Sequence, residues 1–206
     1  MEVIHQDAFQ FLKIDQNYYD IIIVDLPDPS SEGLARLYSS SFYKLCLNRL
    51  SPKGVLSTQA TSPELSTNAF WCINTTLKNA GFAFTYPYGI NIPSFGNWGF
   101  IIAKKNPKFV DTLRQDIYYK FLENEMLEHI FYFPKDVRVE NIQANHLDKP
   151  IILDYYLNHW QSLQGQKITE TERVFCLTSC ISSLFIILFE LVNLKFHIFH
   201  STRMHL

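Results

Sequence analysis

The amino-acid sequence predicts an α/β domain on a mostly parallel sheet, with an antiparallel edge and an apolar helical tail at the carboxyl end. One observation behind this prediction is the run YDIIIVD at residues 19–25, a continuous β-branched stretch typical of a strand covered on both faces. Another is that segments of strand length alternate with segments of helical period. At 206 residues, the chain has room for one such domain and a tail.

A loop and a helix are predicted to follow the first strand. Pro27 and Pro29 cannot donate ladder hydrogen bonds, so the chain must leave the sheet there. Ser30 or Ser31 then suits the N-cap of a helix. The apolar stripe predicted for this helix consists of Leu34, Tyr38, Phe42 and Leu45.

A second strand and helix come next. A turn at 51–54 precedes a strand at 55–60, and Gly81 ends the helix after it. Successive strand and helix units of this kind imply parallel strands. Residues 83–91 and 98–104 are rich in aromatic and β-branched side chains, which predicts a pair of strands forming the antiparallel edge. The apolar stripe of the second helix consists of Phe70, Ile73, Leu77 and Ala80.

The remainder of the chain is predicted to be helical. Residues 154–160 indicate a short helix, so we place the domain at 1–161 and a tail at 162–206. Residues 174–194 predict an apolar helix, which either contacts a membrane, packs on the domain or is an extension without a role. Its uncharged part would be about 24 Å long, shorter than a bilayer core of roughly 30 Å. An amphipathic helix before these segments is indicated by Val110, Leu113, Ile117, Phe121 and Leu122.

Composition excludes several classes of partner. The net charge is -2 and no basic stripe exists, so we expect no nucleic acid. The cysteines, at 46, 72, 176 and 180, have no CxxC spacing, so we expect reduced thiols and no metal site. No basic and then apolar leader opens the sequence, which predicts a cytoplasmic protein or one associated with a membrane through its tail.

The segment DLPDP contains the main candidates for chemistry. Asp25 ends the first predicted strand, where ligands of open α/β sheets bind, and Asp28 follows on a loop stiffened by prolines. A pair of carboxylates suits a diamine, although position alone also fits a helix cap or a solvated turn. Gln59 ends the second strand, where its amide either bonds an amine or a carboxylate or is merely a polar strand end.

Three segments resemble the polyamine aminopropyltransferase family, whose members are spermidine and spermine synthases. They are YDIIIVDLPDP, LYSSSFYKLCLNRLSPKGVLSTQATSP and NIPSFGNWGFIIAKK, within a resemblance that runs from about Val3 to Trp160. The sequence motifs DLPDP and PSFGNWGF most resemble the branch whose enzyme domain is joined to membrane-spanning helices. The resemblance implies a methyltransferase-like Rossmann sheet that transfers an aminopropyl group from decarboxylated S-adenosylmethionine to putrescine or a related amine, without a metal.

The resemblance also implies roles for individual residues. Asp25 matches the base that accepts a proton from the attacking amine, and Asp28 matches the residue that holds this amine. Asp7, followed by Ala8, matches the position that contacts the adenine of the co-substrate. Asp7 is equally suited to be the N-cap of a helix.

A glycine-rich turn of the kind that binds an adenosyl cofactor is missing from the sequence. We therefore expect an amino-terminally truncated sheet that represents the carboxyl-side part of the family's domain. An uncovered sheet edge favours association, so a homo-oligomer is expected as an alternative to a monomer. Two functional alternatives remain: another S-adenosylmethionine-dependent transferase, and a non-catalytic remnant or interaction module.

Overall fold

A computed structural model describes residues 4–93, 96–107, 113, 116, 118–163 and 198–200 of the chain. Helices and strands alternate along most of it, and all further statements concern these residues. The helices are α1 (Ala8–Ile14), α2 (Glu32–Ala35), α3 (Ser40–Arg49), α4 (Thr67–Asn79), α5 (Asn124–Ile130) and α6 (Ile151–Leu163). The strands are β1 (Tyr19–Asp25), β2 (Leu50–Gln59), β3 (Phe84–Ile92), β4 (Gly96–Lys104) and β5 (Ile198–His200).

The sheet is mixed, with the strand order β3-β4-β2-β1-β5. Strand β1 pairs in parallel with both β2 and β5, whereas β4 is antiparallel to its neighbours β2 and β3. The predicted antiparallel pair at one side of the sheet is therefore confirmed. Strand β5 was not predicted: it lies in the stretch interpreted as a tail and adds a short strand beside β1.

Strand β1 is confirmed with the bounds that the sequence indicates. Its central residues Ile21–Val24 are at most 1% exposed, because helices cover both faces of the sheet. Strand β2 begins earlier than predicted, and the prediction of a turn at 51–54 is wrong. Tyr19 lies opposite Leu50 and Ile21 opposite Val55, so this segment is an irregularity inside the strand rather than a turn before it.

The single helix predicted after the first loop is divided into two. Ser31 caps α2, and a 3-10 helix at Arg36–Tyr38 separates α2 from α3. At the break, the Ser39 hydroxyl donates to the Arg36 carbonyl at 2.6 Å and accepts a hydrogen bond from the Phe42 amide at 3.3 Å. The extended backbone of Ser39 thus ends one helix and caps the next, which a count of apolar residues does not reveal.

Helix α5 also differs from the prediction. Residues 118–122 are not helical, and α5 begins only at Asn124, so the predicted helical stripe through Phe121 and Leu122 is wrong. Leu122 is buried instead as part of the core beneath α5. Residues 108–112, 114, 115 and 117 of the predicted helix lie outside the described residues. The helix predicted at 154–160 is confirmed as α6, which starts earlier, directly after Pro150.

The sheet separates two hydrophobic cores. On β1, Ile22 and Val24 contribute to one core, and the alternate residues Ile21 and Ile23 contribute to the other. The first core lies under α1, α3, α4 and α6 and includes Phe9, Tyr38, Tyr43, Phe70, Ile152 and Tyr156. The second lies under α5 and includes Tyr88, Trp98, Phe100, Leu122, Leu127 and Ile130.

Within the described part of the chain, we find no helix with the length and apolar character needed to cross a membrane. The predicted apolar helix at 174–194 lies outside the described residues.

Gly99 provides a test of the packing between the sheet and α4. A Cβ atom at this position would lie 2.5 Å from the Phe70 ring and 2.7 Å from the Thr61 carbonyl oxygen. We therefore expect Gly99→Ala to lower the free energy of unfolding by about 1–3 kcal/mol in urea denaturation. The control is Gly33→Ala, where nothing lies within 4 Å of the new methyl group; this change should be neutral or slightly stabilising. Equal effects of both changes would contradict the packing described here.

Candidate active site

Two neighbouring strands bring the predicted site residues to one edge of the sheet. Strand β1 ends at Asp25 and strand β2 at Gln59, and the two strands are parallel, with Val24 opposite Thr58. Because parallel strands end on the same side of a sheet, both side chains belong to its carboxyl edge. Asp28 lies in the loop that leaves β1, beside the same edge.

The carboxylate of Asp28 is held by two side chains. The Gln59 amide nitrogen donates to Oδ1 at 2.8 Å, and the Tyr156 hydroxyl donates to Oδ2 at 3.0 Å. Burial raises the pKa of Asp28 above its ordinary value, and the two hydrogen bonds act in the opposite direction because they stabilise the ionised form. Asp28 is therefore a carboxylate whose charge depends on the donors around it.

The orientation of the Gln59 amide follows from its other contacts. Its oxygen accepts a hydrogen bond from the Thr61 amide at 3.1 Å, and the Tyr38 hydroxyl lies 3.2 Å away. The backbone of Thr61 has a φ of 63°, an uncommon left-handed conformation for this residue type. With the oxygen occupied by donors, the amide nitrogen of Gln59 faces Asp28.

The hydroxyl of Tyr38 contacts both the loop after β1 and the side chain of Gln59. Its hydroxyl lies 3.0 Å from the Pro27 carbonyl oxygen and 3.3 Å from that of Leu26, so one proton is shared among these acceptors and Gln59. Burial raises the pKa of Tyr38 well above its ordinary value, and the negative charges of Asp28 and Asp25 act in the same direction. Tyr38 is consequently a neutral hydrogen-bond donor beside Gln59 and the loop after β1.

Asp25 is the second carboxylate of the cluster. It is partly buried at the end of β1, and its charge acts on Tyr38 together with that of Asp28. A carboxylate at this position can accept a proton from a bound ligand, while Asp28 can bind a cationic group. The arrangement thus combines a candidate base with a candidate cation holder.

Asp7 and Ala8 lie at the start of α1. Asp7 is the N-cap, as one of the two interpretations of the sequence has it, with Oδ1 accepting from the Gln10 amide at 2.9 Å. Its Oδ2 forms an ion pair with Arg36 at 2.5 Å. Arg36 begins the 3-10 helix that contains Tyr38, so Asp7 is tied to the segment that follows the DLPDP loop. Ala8 is partly buried as the first residue of α1.

Sequence reasoning missed two tyrosines of this cluster. Tyr38 was predicted only as part of an apolar helical stripe, and Tyr156 only as part of a short helix. The sequence feature that could have identified Tyr38 is its position shortly after DLPDP, in a helical segment that a serine interrupts. Tyr156 is 128 residues from Asp28, and nothing local in the sequence indicates their contact.

The solved structures that share this fold include two spermidine synthases. The spermidine synthase in complex with the transition state analogue AdoDATO superimposes with a TM-score of 0.59 at 22% identity, over 66% of this chain and 49% of that one. The spermidine synthase of Thermotoga maritima gives a TM-score of 0.56 at 22% identity, over 66% and 48%. The chain therefore has the fold of the spermidine synthases, which agrees with the predicted methyltransferase-like sheet.

Curated relatives agree with this fold. The polyamine aminopropyltransferase of Oceanobacillus iheyensis is 37% identical over 166 residues, which are 79% of this chain and 32% of the relative. The polyamine aminopropyltransferase of Leptospira interrogans is 35% identical over 162 residues, or 78% of this chain and 32% of the relative. The chain thus spans about a third of the length of the curated relatives it matches.

The family model of the spermine/spermidine synthase domain matches residues 1–114, more than half of the chain. The chain belongs to the spermine/spermidine synthase family. The family predicted from the segments around DLPDP is confirmed.

The raised pKa of Asp28 predicts how stability depends on pH. An acid whose pKa is higher in the folded than in the unfolded state loses stability as pH rises from its ordinary value of 3.8 through the folded value. Asp28→Asn removes this ionisation, so we expect the urea midpoint of the variant to fall less than that of the wild type as pH rises from 4 to 7. The difference between the two urea midpoints should therefore narrow as pH falls toward the ordinary pKa of Asp28. A difference independent of pH would contradict this assignment.

Proposed function

We propose that this chain forms the amine side of an aminopropyltransferase site, in which Asp28 holds an ammonium group and Asp25 removes a proton from the attacking nitrogen. One observation carries the proposal: the carboxylate of Asp28, oriented by Gln59 at 2.8 Å, lies at the ends of two parallel strands in a member of this family. The names of the curated relatives, polyamine aminopropyltransferases, support it.

The chemistry requires a base and a binding group with different tasks. An ammonium nitrogen has no lone pair, so it must lose a proton before it attacks carbon. The nitrogen then forms a bond to the aminopropyl carbon beside the sulfonium of decarboxylated S-adenosylmethionine. The carbon–sulfur bond breaks, and the sulfur keeps its electron pair and becomes a neutral thioether. In this proposal Asp25, at the end of β1, accepts the proton, while Asp28 holds the amine as a carboxylate.

We assign the co-substrate to the side of Asp7 and Ala8. The carboxylate of Asp7 accepts from Gln10 and Arg36, and a carboxylate offers further lone pairs for a donor such as an adenine amino group. The N-cap role and the adenine contact are therefore compatible. The structure of a relative with the analogue AdoDATO supports decarboxylated S-adenosylmethionine as the co-substrate.

We also propose that the chain represents the carboxyl-side part of the family's domain, in the branch joined to membrane-spanning helices. The sequences DLPDP and PSFGNWGF support this branch, and the 32% share of the first relative's length agrees with a chain that represents only a part of such a protein.

Substitution of the two aspartates should separate their roles. By calorimetry on the full 206-residue chain, we expect Asp28→Asn to weaken putrescine binding about 10- to 100-fold, because a charge-assisted hydrogen bond is lost. Asp25→Asn should affect binding less and should lower aminopropyl transfer by about 10²- to 10⁴-fold, as expected for loss of a general base. Transfer is measured by chromatography of the products formed from decarboxylated S-adenosylmethionine and putrescine.

The matched control is Asp20→Asn, on the same strand but at its opposite end, where the exposed carboxylate accepts only from Ser51 among the side-chain contacts described. It should bind putrescine as the wild type does. Equal affinity of the wild type, Asp25→Asn and Asp28→Asn would refute the proposed site. Transfer of a methyl group from ordinary S-adenosylmethionine, in place of aminopropyl transfer, would identify a different transferase.

A further inference from the structure

Tyr156 comes to Asp28 from a part of the chain that the family model does not match. The model covers residues 1–114, whereas Tyr156 lies on α6 and donates its hydroxyl proton to Asp28 Oδ2 at 3.0 Å. The contact joins the carboxyl-side helix directly to the loop that contains the candidate site. It is a long-range contact whose position depends on how α6 is held.

Asn145 holds the start of α6. It is fully buried, and its side-chain nitrogen donates to the Ala35 carbonyl at 2.8 Å while its side-chain oxygen accepts from the Ile152 amide at 3.3 Å. Its own amide donates to Thr76 Oγ1 at 2.8 Å, and its carbonyl accepts from Ser40 at 2.9 Å. One residue thereby fixes the first turn of α6 against α2, α3 and α4.

The next turn of α6 places Tyr156 over the same face. Ile152 and Tyr156 are four residues apart, so they lie one above the other on the helix, and both are buried in the core, with exposures of 0% and 8%. The ring of Tyr156 is anchored by packing, and its hydroxyl reaches the polar cluster. A fixed ring of this kind delivers a hydrogen bond with little loss of side-chain entropy.

Each oxygen of the Asp28 carboxylate accepts a hydrogen bond from a different side chain. Gln59 bonds Oδ1 and Tyr156 bonds Oδ2, so each oxygen keeps further acceptor capacity for a ligand. Burial alone would favour the neutral acid, which does not pair with an ammonium group. Both donors are uncharged, so they stabilise the carboxylate without neutralising it.

We propose that Tyr156 is a positioning residue for amine recognition, whose hydroxyl holds the Asp28 carboxylate charged and oriented toward a bound ammonium group. This inference rests on the proposed function, because the amine is the ligand of Asp28. Gln59 supplies the corresponding bond from the strand side of the loop. The carboxyl-side helix is thereby part of the binding site as well as of the fold.

The test compares Tyr156→Phe with Tyr155→Phe in the full chain. The Asp28 carboxyl is titrated by carbon-13 NMR, and thermal denaturation establishes that both variants remain folded, since each keeps its ring. Tyr155 is the matched control because it is the adjacent residue of α6 and is partly buried against the same core. We expect the Asp28 pKa to rise in Tyr156→Phe, since a bond to the ionised form is lost, and to stay unchanged in Tyr155→Phe.

Putrescine supplies the second readout. In Tyr156→Phe, putrescine affinity should fall below that of the wild type, and this deficit should grow as pH is lowered, because the fraction of ionised Asp28 falls at acid pH. An Asp28 pKa equal in both variants, with normal putrescine binding, would overturn the role of Tyr156 and leave the proposed function standing. An Asp28 resonance of the wild type that does not respond to putrescine would overturn the amine site itself, and the present proposal with it.

Discussion

The parallel pairing of β1 and β2 is the constraint on which the candidate site depends. Its register, with Val24 opposite Thr58, makes both strands end at the same level. Asp25 and Gln59 are therefore neighbours at the sheet edge although 34 residues separate them in the sequence. The loop after β1 can place Asp28 against Gln59 because this edge is fixed by the buried strands β1 and β2.

The acidic side chains differ in how their charge is balanced. Asp7 forms an ion pair with Arg36, so its charge is already matched by a cation. The described contacts of Asp28 are with an amide and a hydroxyl, which stabilise the charge but do not cancel it. A cationic ligand is the natural counterpart of such a carboxylate, since it supplies the missing charge as well as hydrogen bonds. This difference agrees with the proposed binding of an amine at Asp28 and of the uncharged adenine ring near Asp7.

Sequence reasoning predicted the elements whose signal is local. The run YDIIIVD defines β1, the residues before Gly81 define α4, and the strand ends identify Asp25 and Gln59. The break at Ser39 escaped prediction because one hydroxyl cap outweighs the continuity of the apolar stripe. The start of α5 was not predicted because Leu122 is buried although its segment is not helical. Tyr156 escaped it because its role exists only once the chain is folded.

The contact between Tyr156 and Asp28 also has a consequence for the order of events during protein synthesis. The strands that present Asp25, Asp28 and Gln59 leave the ribosome long before α6, whose tyrosine lies 128 residues after Asp28. A nascent chain that has already paired β1 with β2 still lacks one donor to its partly buried carboxylate. The hydrogen bonds to Asp28 are thus complete only once the carboxyl-side helix has docked.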